Sequence, residues 1–280
     1  MIMLVSATQT DSGRERDMNE DRVWAQVYTA SEGEPIGLFI VCDGMGGHLG
    51  GEVASHWAVE AIKQEMSSIF TLKDPRATIR LSEAELNEVL QGKGDETTRA
   101  TVGGKIETQM RNAIQKANQV VYKYTVAKPQ EAAEAGTTVA MVVVLGRRAI
   151  IANVGDSRTY LLRDHQLRQI SKDHSLVASL VASGQIKPED IYHHPQRNMI
   201  YRCLGQKRQV QIDTFNEVLQ PGDYLLLCSD GLWEMVRDEA VIVRLIEATC
   251  TPSQACQVLI DAANTAGGED NIGVAVVKVS

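Results

Sequence analysis

The sequence predicts an α+β fold in which antiparallel sheet packs against helices, and three observations carry that expectation. Residues 137–170 hold four strand segments in succession, joined by short polar turns, as in an antiparallel meander and unlike the strand–helix alternation of a doubly wound sheet. Long amphipathic helices are expected on either side, over residues 51–70, 105–126, 238–249 and 252–265. Two apolar strand runs, residues 38–42 and 225–228, each close on an aspartate with glycine behind it, at Asp43-Gly44 and at Asp230-Gly231.

Residues 1–28 read as a strand, a polar loop and a second strand, with Arg14, Arg16, Asn19, Glu20 and Asp21 in the loop. Ser31, Gly33 and Pro35 make a short connection that lets residues 23–28 pair with the run at 38–42, which would bring Glu20-Asp21 beside Asp43. Gly44, Gly46, Gly47 and Gly50 follow Asp43, leaving backbone that a ligand can approach closely. Asp-Gly after a strand is also an ordinary hairpin turn. The second copy at Asp230-Gly231 favours two carboxylates that meet.

The helix expected over 51–70 has Val53, Trp57 and Ala61 on one face. Residues 71–104 read as a polar peripheral insertion containing Asp74-Pro75, Gly92, Gly94, Gly103 and Gly104, with a short helix at 81–90 opened by Ser82 and Glu85. Ile106, Met110, Ile114, Ala117, Val121 and Tyr124 form a core stripe on the next helix. Strands at 137–145 and 149–154 turn at Gly146-Arg147-Arg148, and those at 158–163 and 166–170 turn at Asp164-His165. A helix is expected over 172–185, then irregular chain with His193-His194-Pro195, read as exposed loop histidines without a zinc set. Strands at 210–218 and 224–229 precede the last two helices, the second with proline near its start. The glycine turn Gly267-Gly268 then sets a third carboxylate, Asp270, with Asn271 at the mouth of the last strand, 272–279.

The chain has 280 residues, 44% of them hydrophobic, with no Pro/Gly/Ser-rich linker and no short-period repeat, so a single domain is expected. Its net charge of −8, from 28 basic and 36 acidic residues without a basic block, argues against nucleic-acid binding and suits a site that collects divalent cations. Five cysteines lack zinc spacing, and Cys42 and Cys228 sit inside apolar runs as core residues, which points to a reducing, cytoplasmic setting. The first residues lack a signal peptide's basic region, and no apolar run is long enough to span a membrane.

Asp43, Asp230 and Asp270 at three strand ends, with Glu20 and Asp21 at a fourth, would repel one another unless cations neutralised them. All-oxygen ligation selects hard ions, Mg²⁺ or Mn²⁺. Two such ions about 3.5–4 Å apart activate water and clamp a phosphoryl displacement. Arg16, four residues before Glu20, offers the fork that matches the phosphate oxygens.

In order along the chain stand Arg16-x-x-x-Glu20-Asp21, Asp43-Gly44-Met45-Gly46-Gly47-His48, Gly136-Thr137-Thr138, Asn153-Val154-Gly155-Asp156-Ser157-Arg158, Lys172-Asp173-His174-Ser175, Ser229-Asp230-Gly231 and Glu269-Asp270-Asn271. This series resembles the metal-dependent protein phosphatases, the type 2C serine/threonine phosphatases, in their bacterial form, over nearly the whole chain outside 71–104. The resemblance implies a central sandwich of two antiparallel sheets flanked by helix pairs, with a flap subdomain at about 174–205. It implies Asp43 bridging two metals, the Gly44 carbonyl on the second, Asp230 and Asp270 on the first, Glu20 acting through water, and Asp21 and Asn271 as support. Arg16 would bind the substrate phosphate, and Glu134, where an aspartate is more usual, would serve a third metal.

Met45 stands where animal members have a histidine proposed as general acid, and a thioether cannot donate a proton; His48 is the alternative donor. The implied activity is hydrolysis of phosphoserine and phosphothreonine in proteins, a Ser/Thr kinase or its targets among them, by a monomer. The alternatives are a catalytically weak, phosphatase-shaped binding or regulatory module and a phosphatase specialised for an anti-sigma-factor antagonist. The presence of Arg16, Asp43, Asp230 and Asp270 favours the enzyme.

Overall fold

The computed structural model describes residues 2–28, 34–46, 50–70 and 96–280. The helix expected at 81–90, most of the 71–104 insertion, and His48 lie outside the described residues.

Two five-stranded antiparallel sheets form the centre. In the first, β1 (Leu4–Asp11) and β12 (Ile272–Val279) lie beside β11 (Tyr224–Cys228), β8 (Arg158–Arg163) and β9 (Gln166–Gln169), in that order. In the second the order is β10 (Asp213–Val218), β7 (Arg148–Val154), β6 (Val139–Leu145), β3 (Ile36–Cys42) and β2 (Arg22–Tyr28). A two-stranded ribbon, β4 (Gly44–Met45) with β5 (Gly136–Thr137), continues from the end of β3.

The continuous apolar runs of the central strands follow from burial on both faces. Phe39, Val41, Val142, Val144, Leu225, Leu227, Ala275 and Val277 point into the space between the sheets. Their alternates turn outward under helices. In the second sheet Leu38, Ile40, Met141 and Val143 pack against α1 (Gly50–Met66) and α2 (Glu96–Ala127). In the first, Leu226, Cys228, Val274 and Val276 pack against α6 (Glu239–Glu247) and α7 (Pro252–Thr265). Between them in the chain lie three shorter helices, α3 (Pro129–Ala132), α4 (Leu176–Ala182) and α5 (Asp230–Trp233). The layers therefore run helices, sheet, sheet, helices.

Four local expectations are corrected. The four-strand meander is two hairpins in different sheets, β6–β7 in the second and β8–β9 in the first. The chain crosses between sheets at Gly155, whose φ of +104° is open to glycine at little cost. The helix expected from residue 105 begins at Glu96 and passes through Gly103, where a side chain would collide with the Arg148 guanidinium. The helix expected over 172–185 is confined to Leu176–Ala182, because the Ser175 hydroxyl caps it by accepting from the Ala178 amide and Gly184 ends it at φ +73°. The strand expected over 210–218 pairs only from Asp213.

Candidate metal and phosphate site

The acidic residues meet because the strands that carry them end at the same edge of the sandwich. In β2–β3 pairing Arg22 faces Cys42, so Glu20-Asp21 enters where Asp43 leaves. In β11–β12 pairing Cys228 faces Val274, which sets Ser229-Asp230 beside Asp270-Asn271.

Hydrogen bonds lock these ends together. The Ser229 hydroxyl donates to Asp21 Oδ2 at 2.6 Å and accepts from the Gly273 amide at 2.7 Å. Asn271 donates through Nδ2 to the carbonyls of Ser12 and Met18, at 2.9 and 2.8 Å, while its Oδ1 accepts from the Glu20 amide at 2.8 Å. That one side chain holds the loop bearing Arg16 and Glu20. The Asp43 amide donates to Thr138 Oγ1 at 3.0 Å, and its carbonyl accepts from the Thr138 amide at 2.9 Å and from Thr137 Oγ1 at 2.8 Å. At Gly44 three backbones converge: a Cβ there would collide with the Gly51 carbonyl oxygen and lie 2.6 Å from that of Glu20.

Above these residues opens a pocket of about 360 Å³ lined by Arg16, Arg197, Asp230, Glu234 and Asp270 among others. Arg16 pairs with Asp270 Oδ2 at 2.7 Å, and Arg197 reaches Glu269 at 3.1 Å and Glu234 at 3.4 Å. Two guanidiniums thus face a strongly acidic floor.

The floor is under electrostatic strain. Desolvation pushes the Asp43 carboxyl well above the ordinary range, with Asp230, Asp21, Asp156 and Asp270 adding to it in that order. Desolvation likewise raises Asp230, followed by the charges of Asp156, Asp270, Glu234 and Asp21. Asp43 and Asp230 are each only partly buried, and Asp230 lines the pocket. Burial takes Asp21 up to about 7 against the stabilising Ser229 hydroxyl, and takes Asp156 up to about 7 with the Asp173 charge adding. Glu20 is raised by desolvation, and the amides of Gly51 and Glu52 pull it back.

Glu20 Oε1 and Asp21 Oδ1 are buried without a hydrogen-bond partner. Buried carboxylate oxygens left so are costly unless something cationic meets them. By donor type, orphaned oxygens and mutual repulsion, the residues fit hard divalent cations. Among the described residues no three His, Cys, Asp or Glu side chains are drawn closely enough to enclose an ion as they stand, and Asp270 is turned to Arg16.

The profile of the protein phosphatase 2C family matches residues 12–264. The chain belongs to the protein phosphatase 2C family. It is 38% identical over 270 residues to the serine/threonine phosphatase stp of Listeria monocytogenes, covering 96% of this chain and 94% of that one. Its fold superposes on the serine/threonine phosphatase of S. agalactiae with a TM-score of 0.80 at 30% identity, over 99% of this chain and all of the other. The catalytic domain of the protein phosphatase PstP, solved in complex with two manganese ions, gives 0.74 at 29% identity, over 100% and 99% of the two chains.

In this 2C-family chain the structure brings Arg16, Glu20, Asp21, Asp43, Gly44, Asp230, Asp270 and Asn271 to one end of the sandwich. Glu134 is exposed, and its carboxylate is not among the charges that raise Asp230. Three residues of the site were not singled out from sequence. Asp156 was legible only as part of a motif string, since its burial depends on the crossing between sheets. Arg197 and Glu234 carry no local pattern, and only the fold brings the 174–205 segment against the end of the short helix that begins at Asp230.

Proposed function

We propose that this chain, a metal-dependent serine/threonine protein phosphatase, performs its hydrolysis at the pocket between Arg16, Arg197, Asp230 and Asp270. The observation that carries the reading is the convergence of Glu20, Asp21, Asp43, Asp230 and Asp270 at one edge of the sandwich, with Glu20 Oε1 and Asp21 Oδ1 left without hydrogen-bond partners, beside a pocket lined by Arg16 and Arg197. Asp43, the Gly44 carbonyl, Asp230, Asp270 and Glu20 would hold two ions, Mn²⁺ or Mg²⁺. Bound there, such ions supply Lewis acidity and an activated water for attack at phosphorus.

The protein's own residues orient the substrate. Arg16, exposed and joined to Asp270 by one ion pair, exchanges that carboxylate for phosphoryl oxygens, which its fork fits in two-point geometry. Release of Asp270 by Arg16 frees the carboxylate for the cations, so the two events favour each other. Arg197 faces the same oxygens from the 174–205 segment. Met45 lies in the ribbon opposite Gly136 and has no proton to give, so the leaving alkoxide takes its proton from elsewhere.

A third ion at Glu134 would be held weakly, since that side chain is exposed to solvent. Substrates are phosphorylated proteins, with a Ser/Thr kinase or its targets as the proposed partners, for a cytoplasmic monomer made of one catalytic domain with a flap at 174–205 and an insertion that ends before α2, since residues 96–104, expected within it, belong to that helix and Val102 is buried in the core. Among the described residues no helix is long and apolar enough to cross a membrane.

The test is turnover of a phosphothreonine peptide with Mn²⁺, with Mg²⁺, and after excess chelator. Activity should need the divalent ion and return when it is restored. Folded protein that shows no metal-dependent release of phosphate refutes the reading.

A further inference from the structure

The helix that begins with Asp230 is only four residues long, Asp230–Trp233. One turn is an unfavourable nucleus in water, so the direction of the Asp230 carboxylate is set by whatever grips that turn from outside. Two grips converge on Trp233, which is 4% exposed. Its indole N–H donates to the Asp156 carbonyl at 3.1 Å. Its ring covers the guanidinium of Arg158, whose central carbon lies 3.6 Å from the ring centroid.

Arg158 opens β8 opposite Cys228, the second residue before Asp230. Asp173 holds it in place: Nε donates to the two carboxylate oxygens at 3.2 and 3.0 Å, and Nη2 donates to one of them at 2.7 Å. Nη1 donates to the Tyr160 hydroxyl at 3.0 Å. Asp173 is steadied in turn by the Gln169 side-chain amide at 2.8 Å. The guanidinium is thus held in place by its fork with its central carbon close over the indole, an arrangement lysine cannot reproduce because it has neither the fork nor the planar face.

We propose that Arg158, Trp233 and Asp173 form a clamp that aims the Asp230 carboxylate at the metal centre, making Arg158 and Trp233 positioning residues for a site they do not touch. The proposal rests on the metal-holding reading of Asp230. Two observations favour positioning over packing alone. The Trp233 N–H ties the Asp230 turn to the loop at which the chain crosses between sheets, and that loop carries Asp156, the charged group acting most strongly on Asp230. Arg158 faces Cys228 in the β8–β11 ladder, so the guanidinium that meets the indole is anchored beside the strand that delivers Asp230. Groups behind a metal ligand typically govern about 10–100-fold in affinity.

The deciding experiment titrates the intact protein with Mn²⁺ alone by calorimetry, for the wild type, Trp233→Phe and Arg158→Lys, with thermal melts alongside. Trp233→Phe keeps an aromatic face and every charge, and removes the N–H bond to Asp156 together with part of the buried ring. Packing alone would lower its melting temperature and leave Mn²⁺ affinity untouched. The clamp predicts Mn²⁺ binding weakened about tenfold in each variant. Affinity within about twofold of wild type in folded Trp233→Phe, well short of that effect, overturns the proposal, whether or not Arg158→Lys folds. A wild-type protein that takes up no Mn²⁺ overturns the underlying assignment of Asp230 as well.

Discussion

Replacing Asp230 by asparagine should make the metal-free protein more stable while removing its response to Mn²⁺. At neutral pH and without cations, the acidic floor carries charge that the fold disfavours. For Asp21 and Asp156 the rise from an ordinary 3.8 to about 7 corresponds to roughly 4 kcal/mol against the ionised form, at about 1.4 kcal/mol per pH unit. Asp230 is raised for the same reasons, desolvation first and then four acidic neighbours. Asparagine keeps the shape, removes the charge and still leaves a polar group to be buried, so the gain should be on the order of 2 kcal/mol, within the roughly 1–3 kcal/mol that an uncompensated buried polar group costs. In a chain of this size that amounts to a rise of roughly 5 °C in melting temperature.

The sign can be followed through pH. A carboxyl raised in the native state binds protons there that the unfolded chain has released, so stability falls as pH climbs from about 3.8 to about 7 and stays low above it. Asp230 is raised in the same direction, so the advantage of Asp230→Asn should be small near about pH 4 and grow as pH rises. Thermal melts at about pH 8 in chelator and in excess Mn²⁺ measure both halves: the wild type gains strongly on Mn²⁺ and the variant does not. A variant that melts below the wild type in chelator, or that gains as much from Mn²⁺, refutes the argument.

Arg16→Ala should weaken inhibition by inorganic phosphate about 10- to 100-fold, the worth of a charge-assisted fork, with Mn²⁺ affinity retained or improved because Asp270 is released; unchanged phosphate inhibition would remove Arg16 from the site. Gly51→Ala should destabilise the fold by roughly 2 kcal/mol or more and impair Mn²⁺ uptake, since its Cβ would lie 2.5 Å from Glu20 Oε1 and 2.7 Å from the Gly44 carbonyl carbon, and a wild-type melt would show that this convergence has slack.

The sequence made legible whatever is local. The runs at 38–42 and 225–228 announced strands because both faces of each are buried, and α7, with Pro252 in its first turn, was readable to the residue. What escaped depends on which sheet a strand joins. β6–β7 and β8–β9 look alike as hairpins, and nothing in their composition says that the chain changes sheet at Gly155. That change decides the site as well as the fold. It buries Asp156 close to Asp230, sets Arg158 beside the strand that delivers Asp230, and leaves Trp233 to join the two. The acidic pocket therefore needs both sheets: the second supplies Asp43, the first supplies Asp230 and Asp270, and the crossing between them supplies the charge and the carbonyl that fix the angle at which they meet.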